Sequence, residues 1–246
     1  MSVRPGLRFA GSAVAARSAL FSATLFWASS LTAQTAEQET RLERIEAIQA
    51  IEKLQFAYGY YQNRFLFDEP PTLFTNANPE VHYDGAIWRG SSGLKRLWGE
   101  HFPRAFGTSG RGPVAGLMFD QPLFQGVIDI APDGSRATGR FQTIGRYALY
   151  GKDERWVGGV YDNDYVREGG VWKIKVMRYC TTWAAPYNRG WIEADAPTDL
   201  PWMSYDDNGH PDELTDADCA NAYPGGGMIP FRYPHPVTGQ MVGADS

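Results

Sequence analysis

LFQGVIDIAPDGSRATGRFQTIGRYALYGKDERWVGGVYDNDYVREGGVWKIKVMRYCTT, residues 123–182, divides at its turn residues into four strands. The segments Leu123–Ile130, Ala137–Tyr150, Trp156–Arg167 and Val171–Thr182 are β-rich. They are separated by Pro132-Asp133-Gly134, Gly151-Lys152-Asp153 and Arg167-Glu168-Gly169-Gly170. Glycine, aspartate and proline at those points supply the backbone angles that tight reversals need. The stretch therefore predicts one antiparallel meander. In its third strand Asp162 and Asp164 alternate with Tyr161, Asn163 and Tyr165. Side chains alternate faces along a strand, so the charged pair is expected in solvent and the tyrosines with Asn163 inside.

Upstream, Leu42, Ile45, Ile48, Ile51, Leu54, Tyr58 and Tyr61 recur every three or four residues. This spacing predicts an amphipathic helix over about 40–62, stopped before Pro70-Pro71. Val81–Trp88 reads as one short strand, and Ser91-Ser92 as the cap of a short helix through Leu94, Leu97 and Trp98. A helix folded over a curved sheet makes a cone with one pocket, and the fold class predicted is α+β.

The chain has 246 residues, a net charge of −5 and 14% aromatic residues. With no basic run after the N-terminus, nucleic-acid binding is not expected. Arg4, Arg8 and Arg17 precede an apolar run, Ser18–Ala33, that is short for a membrane span. Residues 1–33 read as an export signal, which places the mature chain in the periplasm or outside the cell. In such a compartment Cys180 and Cys219 could bridge the last strand to the tail; two unrelated free thiols fit the sequence as well. From Trp191 on, periodicity is lost, yet Trp202, Tyr205, Tyr223, Phe231 and Tyr233 remain. Residues 191–246 are expected as an extended tail wrapping the domain, 34–190, or a neighbouring subunit.

The histidines show no metal-ligand spacing, and no phosphate-cradling or dinucleotide motif is present, so no metal and no cofactor are expected.

Several strings resemble the SnoaL-like branch of the nuclear transport factor 2-like superfamily. They are Leu73-Phe74, Val81-His82-Tyr83 leading to Arg89-Gly90, Gly159-Val160-Tyr161-Asp162-Asn163-Asp164-Tyr165, Gly170-Val171-Trp172-Lys173-Ile174, and Pro230-Phe231-Arg232-Tyr233 in the tail. The resemblance implies a cone-shaped pocket between the helices and the concave sheet face. That fold hosts dehydratases, isomerases, hydrolases, dehydrochlorinases and binding modules, so it does not itself fix a function. Family dehydratases pair an aspartate near the end of the first helix with a histidine on the sheet. Here Asn63 stands at the aspartate position, and Asp120 and Gln121 stand near the histidine position, so the dyad is absent.

By the same resemblance Tyr83, Tyr147 and Asn63 are the candidate catalytic residues. Tyr58, Tyr61, Trp88, Gln121, Tyr161 and Asn163 are the candidate substrate-binding residues. One tyrosine alone is as readily a core residue with a satisfied hydroxyl; the set converging on one pocket favours function. A neighbouring cation would be needed to make a tyrosine useful as a base, and Arg140, Arg146, Lys173, Lys175 and Arg178 lie on strands close enough to provide one. The implied activity is that of a cofactor-independent lyase on a small phenolic aromatic compound, such as a lignin-derived diaryl propanediol. Dehydratase or isomerase chemistry and ligand binding without catalysis are the alternatives. The superfamily also implies a homodimer or homotrimer.

Overall fold

The computed structural model describes residues 15–193, 199–205, 209–215, 219 and 222–243. For residues 15–33, 36 and 193 it describes only the backbone. The expected export signal thus lies outside the described residues, apart from the helical backbone from Ala15 on. Among the described residues no helix is long and apolar enough to cross a membrane.

The chain divides into two compact units, residues 1–46 and 47–246, and everything below concerns the second. Helix α1, Ala15–Asn63, runs through the boundary. Within the second unit the predicted apolar face buries Ile51 and Tyr58, with Ile48, Leu54 and Tyr61 partly buried. The innermost stripe is Ile51, Gln55, Tyr58 and Gln62, all essentially inaccessible.

The sheet has eight strands. They are β1 (Glu80–Tyr83), β2 (Ala86–Arg89), β3 (Leu117–Asp120), β4 (Leu123–Ile130), β5 (Arg136–Leu149), β6 (Asp153–Glu168), β7 (Val171–Pro186) and β8 (Glu213–Leu214). Their order is β3-β5-β6-β7-β1-β2-β8, with β4 also paired to β5. The predicted meander is present as β4 to β7, antiparallel throughout. β1 joins it in parallel with β7.

The expected single strand over Val81–Trp88 is instead a hairpin. Asp84 (φ 47°) and Gly85 (φ 83°) both take left-handed angles between β1 and β2. An Asp-Gly pair is a strong signal for that two-residue reversal, because its twist matches the flanking strands. The short helical segment follows as α2, Gly90–Arg96, a π-turn at Leu97–His101, and α3, Phe102–Phe106.

Two irregularities in the β6–β7 pairing, at Gly158/Gly159 and Asp164/Tyr165, each place an extra residue in β7. Bulges of this kind bend and twist a sheet. They also reset which β7 side chains face inward. Trp172 and Ile174 are buried before the second bulge, Met177 and Tyr179 after it.

The described tail residues lie on this domain. β8 pairs with β2, Leu200 and Trp202 are buried, and Cys219 is disulfide-bonded to Cys180. On the outer sheet face Arg140 donates to Ile229 O at 3.3 Å and to Pro230 O, while Arg232 donates to Asp164 at 2.6 Å. Asp162 was expected in solvent. It is buried, ion-paired to Arg140 and near Arg232, because the tail covers it.

Candidate active site

Three tyrosines stand in a row across three strands. Tyr83 is opposite Tyr179, and Tyr179 is opposite Tyr161. Their ring centroids are 4.6 Å apart in both pairs. The helix adds Tyr58, edge-on to Tyr161 at 5.6 Å. Gly159 allows the approach: a Cβ there would run into the Tyr179 ring.

Gln121 enters this row through a gap in the sheet edge. β3 and β4 lie end to end along β5, and Gln121-Pro122 interrupts them opposite Ile144-Gly145. A Cβ on Gly145 would stand 3.0 Å from Gln121 Cγ, so glycine keeps that space open. Asn63, at the end of α1, accepts the Gln121 backbone N–H at 3.1 Å and pins the turn. Gln121 Nε2 donates to the Tyr179 hydroxyl at 2.6 Å. The Tyr161 hydroxyl donates to Gln121 Oε1 at 3.5 Å and shares a 3.4 Å hydrogen bond with Tyr58.

A second group lies beside it. Gln55 Oε1 accepts from Asn163 Nδ2 at 2.9 Å and from the Tyr165 hydroxyl at 2.8 Å. Asn163 Oδ1 accepts the Arg178 backbone N–H at 3.0 Å. Further along α1, Trp98 Nε1 donates to Gln62 Oε1 at 3.0 Å.

The inner face is therefore polar without being charged. Gln55, Tyr58, Gln62, Tyr83, Gln121, Thr143, Tyr161, Asn163, Tyr165 and Tyr179 are all buried. Three of their donors meet no acceptor among the described residues: Tyr83 hydroxyl, Gln55 Nε2 and Gln62 Nε2. Each such group costs about 1–3 kcal/mol when buried without a partner.

The cations expected near the pocket all point elsewhere. Arg140 pairs with Asp162, Arg146 with Asp120, Lys173 with Glu168 and Arg178 with Asp164, while Lys175 donates to Ala77 O and Asn78 O. Burial pushes the tyrosine hydroxyls up from 10, and no cation pulls them back. Tyr83 and Tyr161 rise well above it, and neighbouring tyrosines add to the effect. Tyr58 and Tyr179 also rise, again through burial first. These hydroxyls are neutral donors, not phenolates.

A pocket of about 260 Å³ opens between Phe56, Gly59, Asn63, Gln121 and Leu123. Gln121 belongs to both places: one side faces this cleft, and its amide reaches the tyrosine row.

Of the sequence candidates, the structure brings together Asn63, Gln121, Tyr58, Tyr83 and Tyr161, and sets Asn163 beside them. Tyr147 stands apart, packed on Phe106 and Trp202. Trp88 also stands apart, against His101 and Tyr205, with its indole N–H donated to Gly209 O at 3.1 Å. Tyr61 is half-buried on α1 and joins none of these ring or hydrogen-bond contacts among the described residues. Gln55, Gln62, Thr143 and Tyr179 were not anticipated. The spacing 51-55-58-62 is helical and would have shown the two glutamines on the stripe of Tyr58. Tyr179 lies beyond the bulge that shifts the alternation.

Trp202 closes the adjoining end of the domain and is clamped from both sides. His101 Nε2 donates to its carbonyl at 2.9 Å, and its indole N–H donates to Asp84 Oδ2 at 2.8 Å. Thr181 supplies two more donors to Asp84, at 2.6 and 2.8 Å. Burial lowers His101 from 6.5 to about 4 and raises Asp84 from 3.8 to about 6. The signs oppose. The stability carried by neutral His101 is full above pH 6.5 and lost toward pH 4. Ionising Asp84 costs stability as pH rises from about 4 to 6. The two effects offset one another over this window. In His101→Gln only the Asp84 effect remains, so its melting temperature relative to the parent is expected to rise between pH 7 and pH 4.5. Parallel melting curves at the two pH values would show that His101 does not contribute.

Known proteins similar to this chain include two solved structures. A candidate scytalone dehydratase from Novosphingobium aromaticivorans superposes with a TM-score of 0.48 at 23% identity, over 59% of this chain and 90% of that one. A hexachlorocyclohexane dehydrochlorinase from Novosphingobium barchaimii gives 0.50 at 16% identity, over 59% and 93%. The second of these, at 16% identity, is a likeness of fold alone. No curated protein matches the chain. The SnoaL-like domain, however, matches residues 43–178, more than half the sequence and the whole span from α1 into β7. The chain belongs to the SnoaL-like domain family.

Proposed function

We propose that the protein is a cofactor-independent lyase acting on a phenolic aromatic compound that carries a benzylic hydroxyl, a diaryl propanediol being the structure of choice. The observation that carries this reading is the buried interior of neutral hydroxyls and amides, in which the Tyr83 hydroxyl meets no partner within hydrogen-bond geometry among the described residues. Family membership supports elimination chemistry in general; the absence of the usual Asp–His dyad argues for a substrate that manages its own protons.

Such a substrate needs no strong base. In the first step the benzylic C–O bond breaks. The hydroxyl leaves as water, taking a proton from a tyrosine. The para-phenol O–H proton of the substrate passes back through the tyrosine row, and the electron pair of that oxygen moves into the ring to give a quinone methide. Every proton is returned, so the protein ends unchanged. In the second step the neighbouring hydroxymethyl group leaves as formaldehyde. Its C–C bond supplies the electrons that form the alkene and restore the phenol, and its O–H proton returns to the phenol oxygen. Loss of a carbon-bound proton instead would make the reaction a dehydration.

Tyr83 is assigned as donor to the departing hydroxyl. Tyr161, beside Tyr83 and hydrogen-bonded to Tyr58, passes the proton on, while Gln121 holds the Tyr161 and Tyr179 hydroxyls in place and Asn63 holds Gln121. Holding the reacting groups in line is itself worth several kcal/mol, about 7 in favourable cases.

The reading is tested by incubating the purified chain with phenolic diaryl propanediols and following alkene absorbance and trapped formaldehyde. Both products in equal amounts support it. Alkene alone makes the protein a dehydratase. Saturable binding with no product makes it a binding protein for aromatic ligands.

A further inference from the structure

Gln55 and Gln62 sit two helical turns apart on the buried stripe of α1, on either side of Tyr58. We propose that these two glutamines bind the two polar ends of an elongated, two-ring ligand and thereby set its length and direction. The inference rests on the reading of this interior as the ligand site.

The orientation of each amide is fixed by groups that can only donate. The Arg178 backbone N–H points at Asn163 Oδ1, which makes Nδ2 the other end of that amide. Asn163 Nδ2 and the Tyr165 hydroxyl then both point at one atom of Gln55, which must be its oxygen. At Gln62 the indole N–H of Trp98 does the same. Both Nε2 groups therefore remain as donors, buried and without an acceptor among the described residues. Tyr83 offers a third. Native interiors hold few such atoms, and a ligand oxygen would satisfy each one.

Seven residues separate the two amides, which is about 10.5 Å along the helix axis. One substituted benzene ring does not reach across that span, whereas a two-ring skeleton with an oxygen at each end does. Tyr58 lies between the stations, its ring packed edge-on against Trp98 and Tyr161. The two amide Nε2 groups can only donate, so they select phenol, ether or carbonyl oxygens and reject ammonium groups.

The test is equilibrium binding to the full chain, followed by tryptophan fluorescence, using stilbene, 4-hydroxystilbene and 4,4′-dihydroxystilbene. These probes cannot undergo the elimination. Each added hydroxyl is expected to tighten binding about tenfold. In Gln55→Met and in Gln62→Met the gain from the second hydroxyl should disappear while the first is kept. The double variant should bind all three alike. Equal affinity of the unmodified chain for the three probes overturns the proposal, and this measurement stands even if a variant fails to fold. Variants that fold and keep the second gain also overturn it. The hydroxyl ladder holding while propanediols give no alkene would sink the lyase reading and leave the two-station assignment intact.

Discussion

Replacing Tyr83 by phenylalanine is expected to lower kcat about a hundredfold and leave the melting temperature unchanged. The two halves of this prediction have separate causes. The Tyr83 ring packs on Phe102 at 5.2 Å and on Tyr179 at 4.6 Å, and phenylalanine keeps both contacts. The hydroxyl is buried and meets no partner within hydrogen-bond geometry among the described residues, the Tyr161 hydroxyl being the neighbour that acts on it, so its removal costs the fold little. In the proposed reaction the same hydroxyl meets charge that develops on the departing oxygen. Donors placed in that way are worth about 10²–10³ in rate when deleted. Steady-state kinetics and thermal melts on one preparation check both halves. An unchanged kcat removes Tyr83 from the mechanism. A large drop in melting temperature means that the hydroxyl serves the fold.

Breaking the disulfide should have the largest effect on stability. Cys180 and Cys219 are separated by 39 residues, and closing a loop of that length restricts the unfolded chain by about 4 kcal/mol. Measured losses for natural bridges run about 2–5 kcal/mol. The loop contains Trp202, whose ring seals Phe106, Phe119 and Tyr147. Cys180 follows Tyr179 directly, so the bridge ties the tail to the strand that carries the tyrosine row. Cys180→Ser with Cys219→Ser is expected to shift the urea midpoint down and to expose Trp202 to quenchers. Reductant should reproduce the effect on the unmodified chain. Identical midpoints with and without reductant would show that the tail is held by its other contacts alone.

The parts of this architecture that repeat regularly were legible from the residues. Turn residues at Pro132-Asp133-Gly134 and Gly169-Gly170 delimited the meander, and alternation placed Tyr161 and Asn163 inside. What escaped was decided by single residues. Asp84-Gly85 reverses the chain in the middle of what reads as one apolar strand. One extra residue in β7 moves Tyr179 to the inner face, and simple alternation carried across that point puts it outside. Gln55 and Gln62 were passed over because a helix face is ordinarily traced by its apolar residues, and this helix buries amides instead. Asp162 follows the rule that charges seek solvent until the tail, distant in sequence, covers it with Arg140 and Arg232. Tyr147 and Trp88 face inward as alternation requires, but toward Trp202 and Tyr205, neither of which has a periodic pattern to announce it.

The polarity of the interior has a chemical consequence. Tyrosines raised above their ordinary range by burial donate protons but do not hold phenolates, and the cations that would change this are tied to Asp162, Asp164, Asp120 and Glu168. The proposed reaction therefore depends on the acidity of the substrate phenol. The most direct measurement is turnover of one diaryl propanediol as the free phenol and as its para-methyl ether, at equal occupancy of the site. The account predicts alkene and formaldehyde from the phenol and at least a hundredfold slower release from the ether, which has no proton to give and cannot form a neutral quinone methide. Equal rates from the two would contradict it.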